Sequence, residues 1–215
     1  MILPFGTSSL GHRATKAGEP VWDLATLFPS QGNWTEEEYL RLDTNRLIEF
    51  SDGYIEVLPM PTMLHQRIAK FLFKQLDAFV CDHGLGEVMF APLPVKFRPK
   101  LFREPDIIYL DCDRLAAMGD LKYPNGADLV FEVVSEGDDA RERDYESKRA
   151  LYAEYGVAEY WIVDPDQQQI TVLCLDESTN VFREHGVFKL GQRASSKLLD
   201  GFTVQVDHVF SRTSA

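Results

Sequence analysis

Residues 128–152 read DLVFEVVSEGDDARERDYESKRALY, and the fold turns on how this stretch is read. The apolar run 129–134, LVFEVV, lies between Gly126 and Gly137, as expected of a strand buried on both faces. Glu132 stands in the middle of it, where an unpaired carboxylate costs several kcal/mol. A partner is therefore expected, either a metal ion or a cationic side chain. The residues that follow form a helix. Asp138 and Asp139 suit its N-terminus, Glu142 completes a capping box with Asp139, and Gly156 suits its C-terminal stop. On that helix Asp144, Lys148 and Tyr152 are spaced i, i+4, i+8 and share one face.

Outward from this unit, the chain before it supplies a short helix over 35–42, opened by a capping box, Thr35-x-x-Glu38. A hairpin over 46–58 turns at Ser51-Asp52-Gly53. Thr62 caps a long helix to about Asp82, with Ile68, Leu72, Leu76, Phe79 and Val80 as its apolar stripe. Residues 86–98 are strand-like, with Pro92 and Pro94 marking an edge or bulge, and 105–110 form another strand, opened by Asp106. A short helix over 111–118 and a loop over 119–127 lead back to the central strand. Beyond the central helix, 159–163 read as a buried strand, 169–175 and 180–188 as a hairpin, and 196–210 as a terminal strand region. This order indicates an α/β (α+β) domain built on a mixed sheet flanked by helices. Residues 1–33 read as an N-terminal arm and 34–215 as a single domain.

Composition narrows the possible functions. Hydrophobic residues make up 45% of the chain, enough for a sizeable core. The formal net charge of −12 argues against sequence-independent coating of nucleic acid or of an anionic membrane, and leaves room for a local basic cleft. Cys81, Cys112 and Cys174 show no C-x-x-C spacing and read as buried thiols of a reducing compartment. No stretch approaches a membrane span, so a cytoplasmic protein is expected. Zinc-ligand clusters, phosphate-binding glycine loops and nucleophile elbows are not found in the sequence.

Pro105-Asp106, Glu132-Val133-Val134 and Lys148 together resemble the PD-(D/E)xK nuclease superfamily, which has the restriction-endonuclease-like fold. More narrowly, the chain resembles the Uma-two family of inferred restriction endonucleases over roughly residues 35–210. Further matching features are Glu49 ahead of Asp52-Gly53, His65 opening the long helix, Asp144-x-x-x-Lys148-x-x-x-Tyr152, and the run from Gly156 through Glu159 to Asp164. The superfamily's lysine stands two residues after the acid, and here that position is Val134. The resemblance implies that the lysine has migrated to the helix, at Lys148.

Phosphodiester hydrolysis needs charge stabilisation on the phosphoryl oxygens and an activated water. The resemblance implies Mg²⁺, with Mn²⁺ as a substitute, held by Asp106, Glu132 and the backbone carbonyl of Val133. Lys148 stabilises charge or orients the water, Glu49 adds an acid at the edge, Asp144 and Tyr152 hold Lys148, and His65 borders the site. DNA is the implied substrate. A homodimer is expected, because cutting a duplex calls for two sites and the apolar segment around Trp22, Leu27 and Phe28 needs cover. Each role has a plainer rival. Asp106 can simply start a strand, Asp144 and Lys148 can be a surface ion pair, and Tyr160 and Trp161 are expected in the core. The competing functions are a non-cleaving binding member of the same fold and a structural oligomer whose acids form only a salt-bridge network.

Overall fold

The computed structural model describes residues 28–211 apart from Asn45. The arm residues Trp22, Leu24 and Leu27 lie outside them. Phe28, the one described member of that apolar segment, is half exposed and stacks on Trp34 with ring centroids 5.8 Å apart.

Thr35 caps α1 (Glu36–Leu40), and both halves of its capping box form. The hairpin follows as β1 (Ile48–Ser51) and β2 (Tyr54–Val57), with Ser51 opposite Tyr54. Asp52 and Gly53 both take positive φ, which the two-residue turn requires. Gly53 has a second constraint. Its carbonyl accepts from Gly32 N at 2.8 Å and Trp34 N at 3.1 Å, and an added Cβ would lie 2.5 Å from the Gly32 carbonyl oxygen. Gly53→Ala is therefore expected to destabilise the fold by about 1–3 kcal/mol in urea titration, and an unchanged midpoint would refute this.

Thr62 accepts from His65 N and starts α2 (Met63–His83), which Gly84 ends in the left-handed conformation. Its stripe of Ile68, Leu72, Leu76 and Val80 is buried. The strand-like stretch 86–98 divides into β3 (Gly86–Phe90) and β4 (Val95–Arg98), which belong to different sheets. Next come β5 (Leu101–Arg103), β6 (Ile107–Asp111), α3 (Cys112–Met118) and the central strand β7 (Leu129–Val133). After β7 the chain forms α4 (Asp138–Glu142), a π-helical turn (Arg143–Ser147), α5 (Lys148–Glu154) and β8 (Glu159–Asp164). The hairpin β9 (Gln169–Asp176) and β10 (Val181–Lys189) is followed by β11 (Arg193–Ser195), β12 (Thr203–Gln205) and α6 (Val206–Phe210).

Six strands form the main sheet in the order β10-β9-β8-β7-β6-β3, with β7 and β8 parallel and the other pairs antiparallel. Alternation along β7 sorts its side chains onto two faces. Leu129, Phe131 and Val133 pack with the α2 stripe and Trp161, while Val130 and Val134 pack with Tyr152, Ala153 and Tyr160 beside α5. By the same alternation Glu132 faces α5. The second sheet, in the order β2-β1-β5-β4, carries its own core of Trp34, Tyr39, Ile48, Phe50 and Phe102.

Some expectations are corrected. Helix α4 begins at Asp138, so Asp138 and Asp139 lie inside it rather than ahead of it. Cys81 and Cys112 are exposed and Cys174 is half-buried, all as free thiols, because the first two fall on the outer side of a helix and at a helix start. The terminal strand region is a short hairpin plus a helix. Among the described residues, no helix is long and apolar enough to cross a membrane.

Candidate active site

The site lies where β7 meets the helical segment that follows it. Glu132 is 3% exposed, the fourth residue of a five-residue strand whose every position is buried. The Lys148 ammonium lies 2.7 Å from Glu132 Oε1, and the Tyr152 hydroxyl donates to the same oxygen at 2.6 Å. Asp144 Oδ1 stands 3.4 Å from Lys148 Nζ, and Glu49 Oε1, brought in by β1, stands 4.0 Å away. The cationic partner that Glu132 requires is thus a lysine one helix later.

The π-helical turn contributes to this arrangement. Lys148 N donates to Arg143 O five residues back, and the Asp144 carbonyl accepts from the buried Tyr160 hydroxyl at 2.9 Å. Such a turn adds one residue to the helical repeat. Asp164, at the end of β8, anchors the segment by accepting from Arg141 and, at 3.0 Å, from the Tyr145 hydroxyl. Neither the turn nor its anchors are visible in the amphipathic pattern of residues 138–154.

Asp106 immediately precedes β6. Ile107 lies opposite Phe131 and Ile108 opposite Val130, so Asp106 follows the last paired residues toward the Glu132 end of β7. Asp106 Oδ2 accepts from Val133 N at 2.8 Å, and Oδ1 lies 2.9 Å from His65 Nε2. Asp106 is therefore held from two sides, by the central strand and by the first turn of α2.

The electrostatics follow from burial. Desolvation raises the pKa of Glu132, and the negative charges of Asp106 and Asp144 raise it further, against the opposing pull of Lys148. Burial by itself lowers the pKa of Lys148, but Glu132, Asp144 and Glu49 more than reverse this, so it stands above the ordinary lysine value. Lys148 therefore keeps its proton and presents an ammonium to Glu132, whose own proton affinity burial has raised. Burial likewise disfavours a charged His65, and its bond to Asp106 raises its pKa overall.

Acid outweighs base at the centre. Glu49, Glu132 and Asp144 surround Lys148, Asp106 lies close enough to Glu132 to raise its pKa, and the buried Glu49 Oε1 and Asp144 Oδ1 lack hydrogen-bond partners. Among the described residues no three acidic, histidine or cysteine side chains gather closely enough to hold a metal ion by themselves. The donor set fits a hard cation that takes one or two carboxylates and keeps several waters, as Mg²⁺ does, better than one needing an all-protein cage.

Two arginines join the site without having been singled out in the sequence. Arg103 on β5 has Nε 3.4 Å from Glu49 Oε2, and Arg143 opens the π-helical turn with Nε 3.7 Å from Asp144 Oδ1. Arg103 precedes Pro105-Asp106 by only two or three positions, a proximity that could have flagged it; Arg143 offers no comparable signal.

The Tyr152 hydroxyl gives a test of the buried cluster. Tyr152→Phe removes one donor to a buried carboxylate and is expected to cost about 1–3 kcal/mol in chemical denaturation. A loss below a few tenths would mean that water reaches Glu132 freely.

A solved structure shares this architecture. A protein from Anabaena variabilis ATCC 29413, described as "a putative nuclease belonging to DUF820", superimposes with a TM-score of 0.67 at 19% identity, over 83% of this chain and 98% of its own. The mixed sheet flanked by helices, with an acid in its central strand, is thus a restriction-endonuclease-like fold. Within that class the chain belongs to the Uma2 family, whose model, described as "Putative restriction endonuclease", matches residues 36–207. No curated protein matches the sequence.

Proposed function

We propose that this chain is a Mg²⁺-dependent endonuclease that hydrolyses DNA phosphodiester bonds. The observation that carries the reading is the contact between Lys148 on the helix and Glu132 on the central strand, at 2.7 Å, with Asp106 bonded to the next residue of that strand, Val133. The names of the family and of the Anabaena relative agree with it. Asp106, Glu132 and the Val133 carbonyl would hold the metal, with Mn²⁺ as a substitute. When bound, the metal supplies Lewis-acid stabilisation of phosphoryl charge and a more acidic water.

The remaining work falls to the chain's own residues. Val133 N and His65 fix the Asp106 carboxylate. Tyr152 and Lys148 both bind Oε1 of Glu132, leaving Oε2 for a further partner. Lys148, kept protonated by its acidic neighbours, acts as an electrostatic stabiliser of developing negative charge rather than as a general base. Glu49 restrains Arg103 and Lys148 from the hairpin side, and Asp144 holds Lys148 within its helix. A DNA substrate, a cytoplasmic setting and a homodimer whose two sites cut the two strands belong to the same proposal.

The rival reading, a non-cleaving member of the fold, draws on one observation: both oxygens of Asp106 already have partners. Asp106→Asn separates the two. The nuclease reading expects the parent to bind Mn²⁺ calorimetrically and to nick plasmid DNA, and the variant to lose at least about 100-fold in nicking. Parent protein that neither takes up Mn²⁺ nor nicks DNA would establish the rival.

A further inference from the structure

Beside Lys148 an open cavity of about 320 Å³ separates the β1–β2 hairpin from the helical segment α4–α5. Glu49 and Glu56 line it from the hairpin, Arg103 from β5, and Glu142, Arg143 and Lys148 from the helices. Lys148 is committed to Glu132. Arg103 is also committed, since its Nη1 donates to the Phe50 and Phe102 carbonyls at 3.3 and 2.9 Å.

Arg143 differs from both. Its side chain is only 20% exposed, yet its nearest acids, Glu56 Oε1 at 3.9 Å and Asp144 Oδ1 at 3.7 Å, stand beyond hydrogen-bond reach. Its Nε is buried without a partner. A guanidinium carries five N–H donors in a planar fork, and leaving a buried one unmet, as this Nε is, is costly. An oxyanion matches that fork. The oxyanion at hand, Glu56, is on an edge strand with its side chain 64% exposed. An exposed pair at such a distance is weak, and Glu56 can turn out to solvent.

We propose that this cavity is a phosphate subsite, in which Arg143 binds a nucleic-acid backbone phosphate next to the one held at Glu132 and Lys148. Arg103 supplies fixed positive charge on the opposite wall, and Glu56 is the carboxylate that the incoming phosphate displaces. The volume lies within the range of small-ligand sites, about 300–1,000 Å³, and suits a phosphate with part of its sugar. The subsite rests on the nuclease reading for the identity of its ligand, whereas its anion chemistry rests on Arg143 alone.

Two titrations test it. In the first, a short fluorescein-labelled duplex is bound with Ca²⁺ in place of Mg²⁺, and anisotropy is followed across a KCl series. Arg143→Gln is expected to weaken binding about tenfold or more and to make the log affinity against log salt slope shallower by about one, the signature of one lost phosphate contact. Glu56→Gln is expected to tighten binding about threefold by removing the competing charge. In the second, inorganic pyrophosphate is added in thermal melts, where it should raise the Tm of the parent and not that of Arg143→Gln.

Duplex affinity and salt slope unchanged in Arg143→Gln would overturn the subsite, as would a parent Tm indifferent to pyrophosphate. If Arg143→Gln does not fold, Glu56→Gln carries the test, and unaltered duplex affinity there overturns it. A pyrophosphate response that depends on Arg143, in a parent that neither binds nor cuts DNA, would mean that the cavity takes a free phosphoanion. The nuclease reading would then fall and the anion site would stand.

Discussion

Lys148→Met is expected to reduce Mg²⁺-dependent DNA cleavage by about 100- to 1,000-fold, the usual cost of removing one preorganised electrostatic group from a reacting centre. Methionine retains much of the volume and none of the charge. The loss should fall on turnover, with Mn²⁺ binding retained or strengthened, because Glu132, Asp144 and Glu49 then lack their shared ammonium. For the same reason the metal-free variant should be less stable by about 3–5 kcal/mol, the cost of breaking a buried ion pair from one side. Mn²⁺ should restore more stability to the variant than to the parent. Cleavage measured on folded, metal-loaded protein isolates the chemistry. Parent-like rates would mean that Lys148 is structural. Val134→Lys in a Lys148→Ala background gives a second reading. Position 134 points to the same face as Glu132 and packs beside Tyr152, so a lysine there should recover part of the lost activity.

The second large effect concerns stability alone. Glu159 is fully buried at the start of β8 and accepts from Trp161 Nε1 at 2.7 Å, Ser196 Oγ at 2.7 Å, Lys197 N at 2.6 Å and Leu198 N at 2.8 Å, with the Cys174 thiol a weaker fifth donor at 3.7 Å. One carboxylate thereby clasps the loop between β11 and β12 onto the main sheet. Glu159→Ala strands these donors, and at about 1–3 kcal/mol for each unsatisfied buried group the fold should lose at least about 4 kcal/mol. Glu159→Gln should lose less, since its amide retains one acceptor oxygen. Glu159 is level with Leu129, three residues along from the Glu132–Ile162 pair, or roughly 10 Å. Cleavage per folded molecule is therefore expected to stay at the parent level. A specific rate that falls along with stability would show that this clasp and the candidate site act as one unit.

Glu159 shows how a motif in sequence and its structural role can differ. It stood among the residues carrying the family resemblance, in the same run as Tyr160, Trp161 and Asp164. In the fold it is a clasp, Trp161 is one of its donors, Tyr160 holds the π-helical turn, and Asp164 anchors Arg141 and Tyr145. The run therefore serves the site through the elements that it secures.

Local chemistry made much of the architecture legible. The capping residues Thr35 and Thr62, the Asp52-Gly53 turn and the apolar run of β7 are decided by neighbours a few positions away, so they can be read from the chain. The demand that Glu132 have a partner was legible too, since the cost of burying a lone carboxylate does not depend on the fold. Other features were set by tertiary structure. Which partner Glu132 receives depends on how the helix after β7 folds back, and the π-helical turn is held at the Asp144 carbonyl by a hydroxyl 16 residues downstream. The hydrogen bond between Asp106 and Val133 N is a matter of strand register, which a shift of one residue would abolish. The assignment of β3 and β4 to separate sheets, and the meeting of Arg103 with Arg143 across one cavity, likewise depend on pairings between distant segments. Short-range hydrogen bonding and side-chain periodicity leave a signature in the sequence, whereas register and long-range packing are fixed only when the whole chain closes on its core.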